Sequence, residues 1–364
     1  MQPTAPPAAV TVPGFSDAHA HLLSQAAGTP MDAAATQVRT YHQRVAAAGS
    51  TPMDEPDPAP DVPLTQLAAR LRAGLDTAAG LGLTEVTEMG VRDWRYLDAL
   101  AALQDSGPLP ARVTAYLASG LAAQAGLGEL AARRSGYAGP WLRLDGVKFY
   151  ADGWLGPRTC AVCRDFADSG GDGLLFLDAA ELARRIAPLA GDGWRIATHA
   201  IGDRAVAAVL DGYDLAWDSD AAAIAAAAPR IEHASLLSAE LMARMAAAGV
   251  TACIQPSFAV TDAPQIPLAL HQDRQALAYP WPDLLAAGVP ILAGSDFPIE
   301  TLDPVAGLAG LVTGPPASRL PAGTALEIMT DSSSGRTVLS ADPLAVAPEL
   351  IGQITVLGTE PTAF

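Results

Sequence analysis

Arg195-Ile-Ala-Thr-His199, a helical pattern over 204–213, and then Arg230-Ile-Glu-His233 make one unit: strand, helix, strand. Each strand is short, apolar in its first half and closed by a histidine. Two strands joined through a helix run parallel, because antiparallel neighbours would need only a tight turn. The same alternation extends outward in both directions. Upstream, helical patterns over 64–79, 92–104, 121–134 and 179–190 separate further apolar runs, and downstream they recur over 239–248 and 281–287. Eight strands are expected in all, ending near residues 18, 89, 117, 148, 199, 233, 256 and 296. A parallel sheet has to be covered on both faces, so a closed (β/α)8 TIM barrel is the economical α/β solution. No internal repeat and no interdomain linker interrupts the pattern. The expected organisation is a proline-rich leader over 1–12, a barrel over 13–345 and a C-terminal β segment over 346–364. The long connection at 24–61, with a possible helix at 31–47, suits a lid or binding loop.

Composition narrows the function. With half its 364 residues hydrophobic and only 17% charged, the chain is suited to a compact enzyme rather than a disordered protein. A formal net charge of −17 argues against nucleic acid and anionic membranes as partners. Three cysteines (Cys160, Cys163 and Cys253) do not make a disulfide framework and point to a reducing compartment. The N-terminus lacks the basic and apolar regions of a signal peptide, so a cytoplasmic protein is expected.

Lys148 is the only lysine in the chain. Arginine replaces lysine on solvated faces but cannot act as a neutral amine, so a single retained lysine points to amine chemistry. It lies in Asp145-Gly-Val-Lys148-Phe-Tyr-Ala-Asp152-Gly, at a strand end. Four of the six histidines also fall at strand ends: His19 and His21 on strand 1, His199 on strand 5 and His233 on strand 6. Asp296 ends strand 8. All are on the C-terminal face of the barrel, where such folds place their chemistry. Residues i and i+2 of a strand point the same way, so the His-x-His spacing aims both imidazoles at one ion. Four histidines converging with an aspartate make a metal centre. A neutral Lys148 amine could react with CO2 to give an anionic carbamate able to bridge two divalent ions. Asp296 would ligate metal, accept a proton from the attacking water and deliver it to a leaving nitrogen. His42 and His271 are read as surface or substrate-loop residues.

These motifs resemble the amidohydrolase superfamily, specifically the amidohydrolase-3 (YtcJ-like) family of metal-dependent hydrolases. The resemblance is carried by Pro13-Gly-Phe-Ser-Asp-Ala-His-Ala-His-Leu22, Val147-Lys-Phe-Tyr-Ala-Asp-Gly-Trp-Leu-Gly-Pro-Arg-Thr159, Thr198-His-Ala-Ile-Gly-Asp-Arg-Ala205, Arg230-Ile-Glu-His233 and Gly294-Ser-Asp-Phe-Pro298. It implies a binuclear site: His19, His21 and Asp296 on one metal, His199 and His233 on the other, and carboxylated Lys148 between them. It also implies hydrolysis of C–N bonds in small-molecule amides or cyclic amides, with zinc suited to the ligands. Members of the family carry a small β-sandwich beside the barrel. Here it is expected to be reduced or missing, with one strand kept over 352–358, which leaves a homodimer an open possibility.

Around this set, Asp152 and Arg158 either bind substrate or pair with each other, and Gln255 is placed to line the pocket. Asp203 reads as a helix N-cap. Alternation points Glu232 away from His233, into the barrel wall, in a structural role. The Cys160/Cys163 spacing is a weak metal or redox signal, and Trp154, Phe166 and Phe176 either shape a pocket or pack their loop. Two alternatives stand beside the binuclear amidohydrolase: a mononuclear deaminase or ring-opening hydrolase with an unmodified Lys148, and a catalytically silent barrel that binds a ligand.

Overall fold

The computed structural model of the chain describes residues 9–23 and 59–364. The helix expected over 31–47, nearly all of the 24–61 connection and His42 lie outside these residues. Eight strands run parallel and pair in chain order: β1 (Val10–Ala20), β2 (Leu83–Val91), β3 (Arg112–Ala118), β4 (Leu142–Tyr150), β5 (Arg195–Ala200), β6 (Arg230–His233), β7 (Thr251–Ile254) and β8 (Ile291–Ala293). Helices α1 (Leu64–Gly80), α2 (Trp94–Ser106), α3 (Ser119–Tyr137), α4 (Ala179–Gly191), α5 (Asp203–Ala226) and α6 (Ala239–Ala247) alternate with them. This is the expected (β/α)8 arrangement.

The sequence sets these elements locally. In α1, Leu67, Leu71, Leu75 and Ala78 recur at helical spacing and are all buried, so one stripe of the helix covers the sheet. Side chains cap three of these helices: Asp93 accepts from the Arg95 N–H (2.9 Å), Asp178 from the Glu181 N–H (2.8 Å) and Ser238 from the Leu241 N–H (3.2 Å). Met89, Tyr116 and Ala197 form a separate buried layer. They come from β2, β3 and β5.

The ring closes between β1 and the segment after β8. Ala20 and Phe297 form a parallel bridge, the His21 N–H donates to the Phe297 carbonyl (2.8 Å) and the Asp296 N–H to the His19 carbonyl (2.6 Å). Gly294 permits this approach, since a Cβ there would lie 2.4 Å from the His19 backbone nitrogen.

Two strands extend the sheet beyond the barrel. β9 (Thr330–Leu339) pairs antiparallel with the first half of β1, Val10 facing Leu339 and Pro13 facing Arg336, and β10 (Val356–Pro361) pairs antiparallel with β9. The sequence reading placed a tail strand over 352–358 but did not find β9, whose Thr-Asp-Ser-Ser-Ser start carries no apolar alternation. Strand ends also differ. β7 and β8 stop at Ile254 and Ala293, so Gln255 and Asp296 sit in the following loops, while β4 continues past Lys148 to Tyr150. Among the described residues no helix is long and apolar enough to cross a membrane.

Candidate metal centre

The His-x-His pair sits where β1 leaves the sheet. The Nε2 atoms of both rings reach one oxygen of Asp296, His21 at 3.1 Å and His19 at 3.4 Å. The other nitrogen of His19, Nδ1, lies 2.6 Å from Glu232 Oε2. An ionised carboxylate only accepts, so His19 donates from Nδ1 and its Nε2 carries a lone pair. Burial, and then the Lys148 charge, push the ring down to about 4, so it is neutral. Burial opposes the charge on Asp296, yet the charge that His19 takes up in acid, together with His21 and His233, holds its carboxyl below the usual carboxylate range, so Asp296 is ionised where His19 is neutral. A neutral Nε2 lone pair therefore faces a carboxylate oxygen, acceptor against acceptor. A divalent cation between them removes that conflict, so these three residues fit a metal. Their ligand atoms all lie within 4.8 Å of one another.

A second pair of rings stands beside the first. His199 Nε2 is 2.8 Å from the Gly153 carbonyl and 3.2 Å from Asp152 Oδ1, both acceptors, so this nitrogen carries the hydrogen and Nδ1 the lone pair. His233 Nδ1 is 2.7 Å from Gln255 Oε1, and the amide is oriented because Gln255 Nε2 donates to the Cys253 carbonyl (3.2 Å). His233 thus also keeps a free lone pair, on Nε2. Its ring centroid is 4.5 Å from His199 and 5.0 Å from His19, joining the two halves. Burial, followed by His199, holds His233 well below the ordinary imidazole range.

Lys148 is 1% exposed, with Nζ 5.2 Å from the centre of the Tyr150 ring. Burial brings its amine down to about 8 against the opposing pull of Glu232 and Asp296. The structure thus gathers His19, His21, Lys148, His199, His233 and Asp296 into one cluster. Two of them turn sharply to reach it: His233 (φ 74°) and Asp296 (φ 56°) hold left-handed backbone that non-glycine residues seldom adopt.

The surrounding assignments change. Asp152 and Arg158 do not pair. Asp152 is buried and accepts from the backbone N–H groups of Ala161 (2.9 Å), Ile201 (3.0 Å) and Gly202 (2.8 Å), tying the loop after β4 to the end of β5. Arg158 grips Asp168, at 2.6 Å from Nη2, and the carbonyls of Leu155 and Gly156. Gln255 holds His233. Asp203 is not an N-cap: Gly202 occupies that position, and Asp203 accepts from the Cys163 N–H (3.0 Å) and pairs with Arg274. Cys160 is buried and Cys163 exposed, and both are free thiols. Glu232 does not point away from the centre, because the turn at His233 breaks the alternation on which that reading rested.

Two further residues were not found from sequence. Glu88, on β2, is buried, accepts from the Leu23 N–H (3.1 Å) and lies 3.9 Å from His21 Nδ1. Burial pushes its carboxyl up to about 8. Phe258 lies parallel to the His233 ring at 5.8 Å, and Trp154 stacks on Phe258 at 6.3 Å. Phe166, by contrast, is packed in the core. His271 approaches Asp165 at 3.5 Å.

A model of the amidohydrolase family matches residues 50–341. The protein named "Putative amidohydrolase YtcJ" from Bacillus subtilis (strain 168) is 30% identical over 241 residues, 58% of this chain and 45% of that protein. The chain spans less than half the length of the curated relatives it matches. Among solved structures, an uncharacterized metal-dependent hydrolase from Pyrococcus furiosus superposes with a TM-score of 0.71 at 21% identity, covering 92% of this chain and 88% of that one. The zinc complex of atrazine chlorohydrolase TrzN from Arthrobacter aurescens TC1 superposes with a TM-score of 0.55 at 16% identity, covering 96% and 81%.

Proposed function

The chain belongs to the amidohydrolase family, and from that premise we propose that it is a metal-dependent hydrolase that cleaves a C–N bond of a small amide or cyclic amide. The observation that carries this reading is the convergence of the His19 and His21 Nε2 atoms on one Asp296 oxygen. In the proposed centre His19, His21 and Asp296 would hold one divalent ion and His199 and His233 another, with Lys148, as its carbamate, supplying an anionic ligand to both. Bound ions supply Lewis-acid polarisation of the scissile carbonyl and lower the pKa of water. The protein does the rest. The Lys148 ammonium would give up one proton, and the neutral amine would then add to CO2, forming an N–C bond and releasing a second proton, so that a two-oxygen anion replaces a cation. Asp296 takes the proton of the attacking water and passes it to the departing nitrogen. Gln255 and the Gly153 carbonyl keep His233 and His199 in the tautomers that leave a lone pair free. Phe258 and Trp154 set an aromatic wall beside His233, which suits an apolar substituent on the substrate. Zinc suits this nitrogen- and oxygen-rich ligand set.

A mononuclear reading has one observation in its favour: the compact three-ligand set of His19, His21 and Asp296 does not include His199, His233 or Lys148. Metal per chain separates the two. Protein expressed with zinc and bicarbonate is measured by elemental analysis, for wild type and Lys148→Ala together. Two ions falling to one or none in the variant is the result expected. One ion in both would sink the lysine bridge and leave the mononuclear hydrolase, and no metal in either would leave a silent barrel. A panel of amides, cyclic amides and dipeptides then tests the bond class.

A further inference from the structure

The barrel buries completely one carboxylate that the proposed hydrolysis does not use. Glu232 is 0% exposed. One of its oxygens, Oε2, takes the His19 Nδ1–H at 2.6 Å and an Arg230 Nη2–H at 2.9 Å, while Oε1 takes the Arg230 Nε–H. Arg230 is itself fixed: Nη2 also donates to the Ala18 carbonyl at 2.7 Å, and its guanidinium lies over the Tyr116 ring, 5.6 Å from its centre. The carboxylate is thus clamped by a guanidinium that is anchored to β1, one residue before the imidazole it serves. Nothing in this arrangement lets Glu232 rotate away without leaving a buried cation unpaired.

We infer that Glu232 is a positioning residue: held by Arg230, it locks His19 as the Nδ1–H tautomer and so keeps the Nε2 lone pair aimed at Asp296. A histidine ring free to exchange tautomers would spend part of its time with Nε2 protonated, and a protonated nitrogen cannot ligate a metal. The clamp also orients the ring, because the bond from Nδ1 to Glu232 sets which edge of the imidazole faces Asp296. The value of the lone pair rests on the metal-centre reading above; the tautomer itself does not.

The test is made on the full chain, labelled with 15N-histidine and stripped of metal, with the His19 signals assigned by their loss in His19→Asn. Wild type is expected to show a protonated Nδ1 and an unprotonated Nε2. Two variants are compared: Glu232→Gln, which keeps an acceptor oxygen, and Glu232→Leu combined with Arg230→Met, which removes the acceptor without leaving a buried charge. In the double variant the two nitrogen shifts should move toward an average, and zinc affinity measured by chelator competition should fall about 10–100-fold. Glu232→Gln should retain much of the Nδ1–H form. A residue that only packs the barrel would change the melting temperature and leave the tautomer alone. An Nε2–H tautomer in wild type would overturn the inference. So would wild-type shifts in the double variant, or moved shifts with unchanged zinc affinity. Failure of wild type to bind zinc would sink the hydrolase reading instead, while the metal-free shifts would still decide the role of Glu232.

Discussion

Asp296 and His233 combine a place in the proposed metal centre with a left-handed backbone that Arg158, Ala228, Ala234 and Tyr279 share. Left-handed backbone at a non-glycine residue costs on the order of 1–3 kcal/mol, and here two such residues turn their side chains into one cluster. Asparagine tolerates that conformation and matches aspartate in shape, so Asp296→Asn should fold with a melting temperature close to wild type. It would lose both a ligand and the proton acceptor. Hydrolysis of any substrate identified is expected to drop at least about 100-fold, measured as kcat at saturating zinc. Gln255→Ala removes the acceptor for His233 Nδ1. Metal affinity should weaken about 10-fold or more, read by titration, with secondary structure unchanged. At this scale the sequence was informative where residue type alone carries meaning: a solitary lysine, a His-x-His, an aspartate after Gly-Ser. Glu232 was misplaced because alternation assumes a regular strand, and the left-handed turn at His233 is invisible in a string of letters. Phe258 was missed because a phenylalanine in an apolar loop has no signature until its ring is seen against an imidazole.

Between neighbouring elements, single side chains hold the strand ends in place. Asp152 satisfies three backbone N–H groups drawn from two loops. Asp152→Ala would leave them buried and unmet, so a loss of about 2–4 kcal/mol is expected, seen as a lower denaturant midpoint. Activity should fall with it, since His199 is held from the same corner. Gly294→Ala would force a methyl group into the His19 backbone. Its cost should be at least about 1–3 kcal/mol, and the displaced His-x-His segment should bind less metal. Helices were legible at this scale through their burial stripes and polar starts. The strand boundaries near Gln255 and Asp296 were less so, because the last ladder pair, Ile254 with Ala293, is set by the neighbouring strand and not by the residues that follow. Asp152 looked like a substrate contact for a related reason: a carboxylate after a catalytic-face strand reads the same whether it meets a ligand or a neighbouring loop.

Taken whole, the barrel has two kinds of closure, backbone pairing between β1 and the segment after β8, and the cluster of ligands set directly above that seam. A metal bound there stabilises only the folded chain. Zinc at about 100 times its dissociation constant should add about 2.7 kcal/mol to unfolding. Chelation should therefore lower the melting temperature of wild type, with a much smaller effect on a His19→Asn, His21→Asn variant, as calorimetry would show. The parallel (β/α)8 plan was legible because eight strand–helix alternations leave few other folds. The antiparallel flank was only half legible, since β9 opens on polar residues and its partner is the very strand that also begins the barrel.

That sharing has a consequence for synthesis on the ribosome. Phe15 and Thr337, which meet across β1 and β9, are 322 residues apart. At about 5–20 residues per second, β1 waits roughly 15–65 s for that partner. Its other closing neighbour, β8, also arrives late. Until those strands arrive, the edge of β1 that they cover lacks both partners and is of the kind that seeks other chains, so the nascent polypeptide, more than the folded chain, is where this edge favours aggregation and calls for a chaperone.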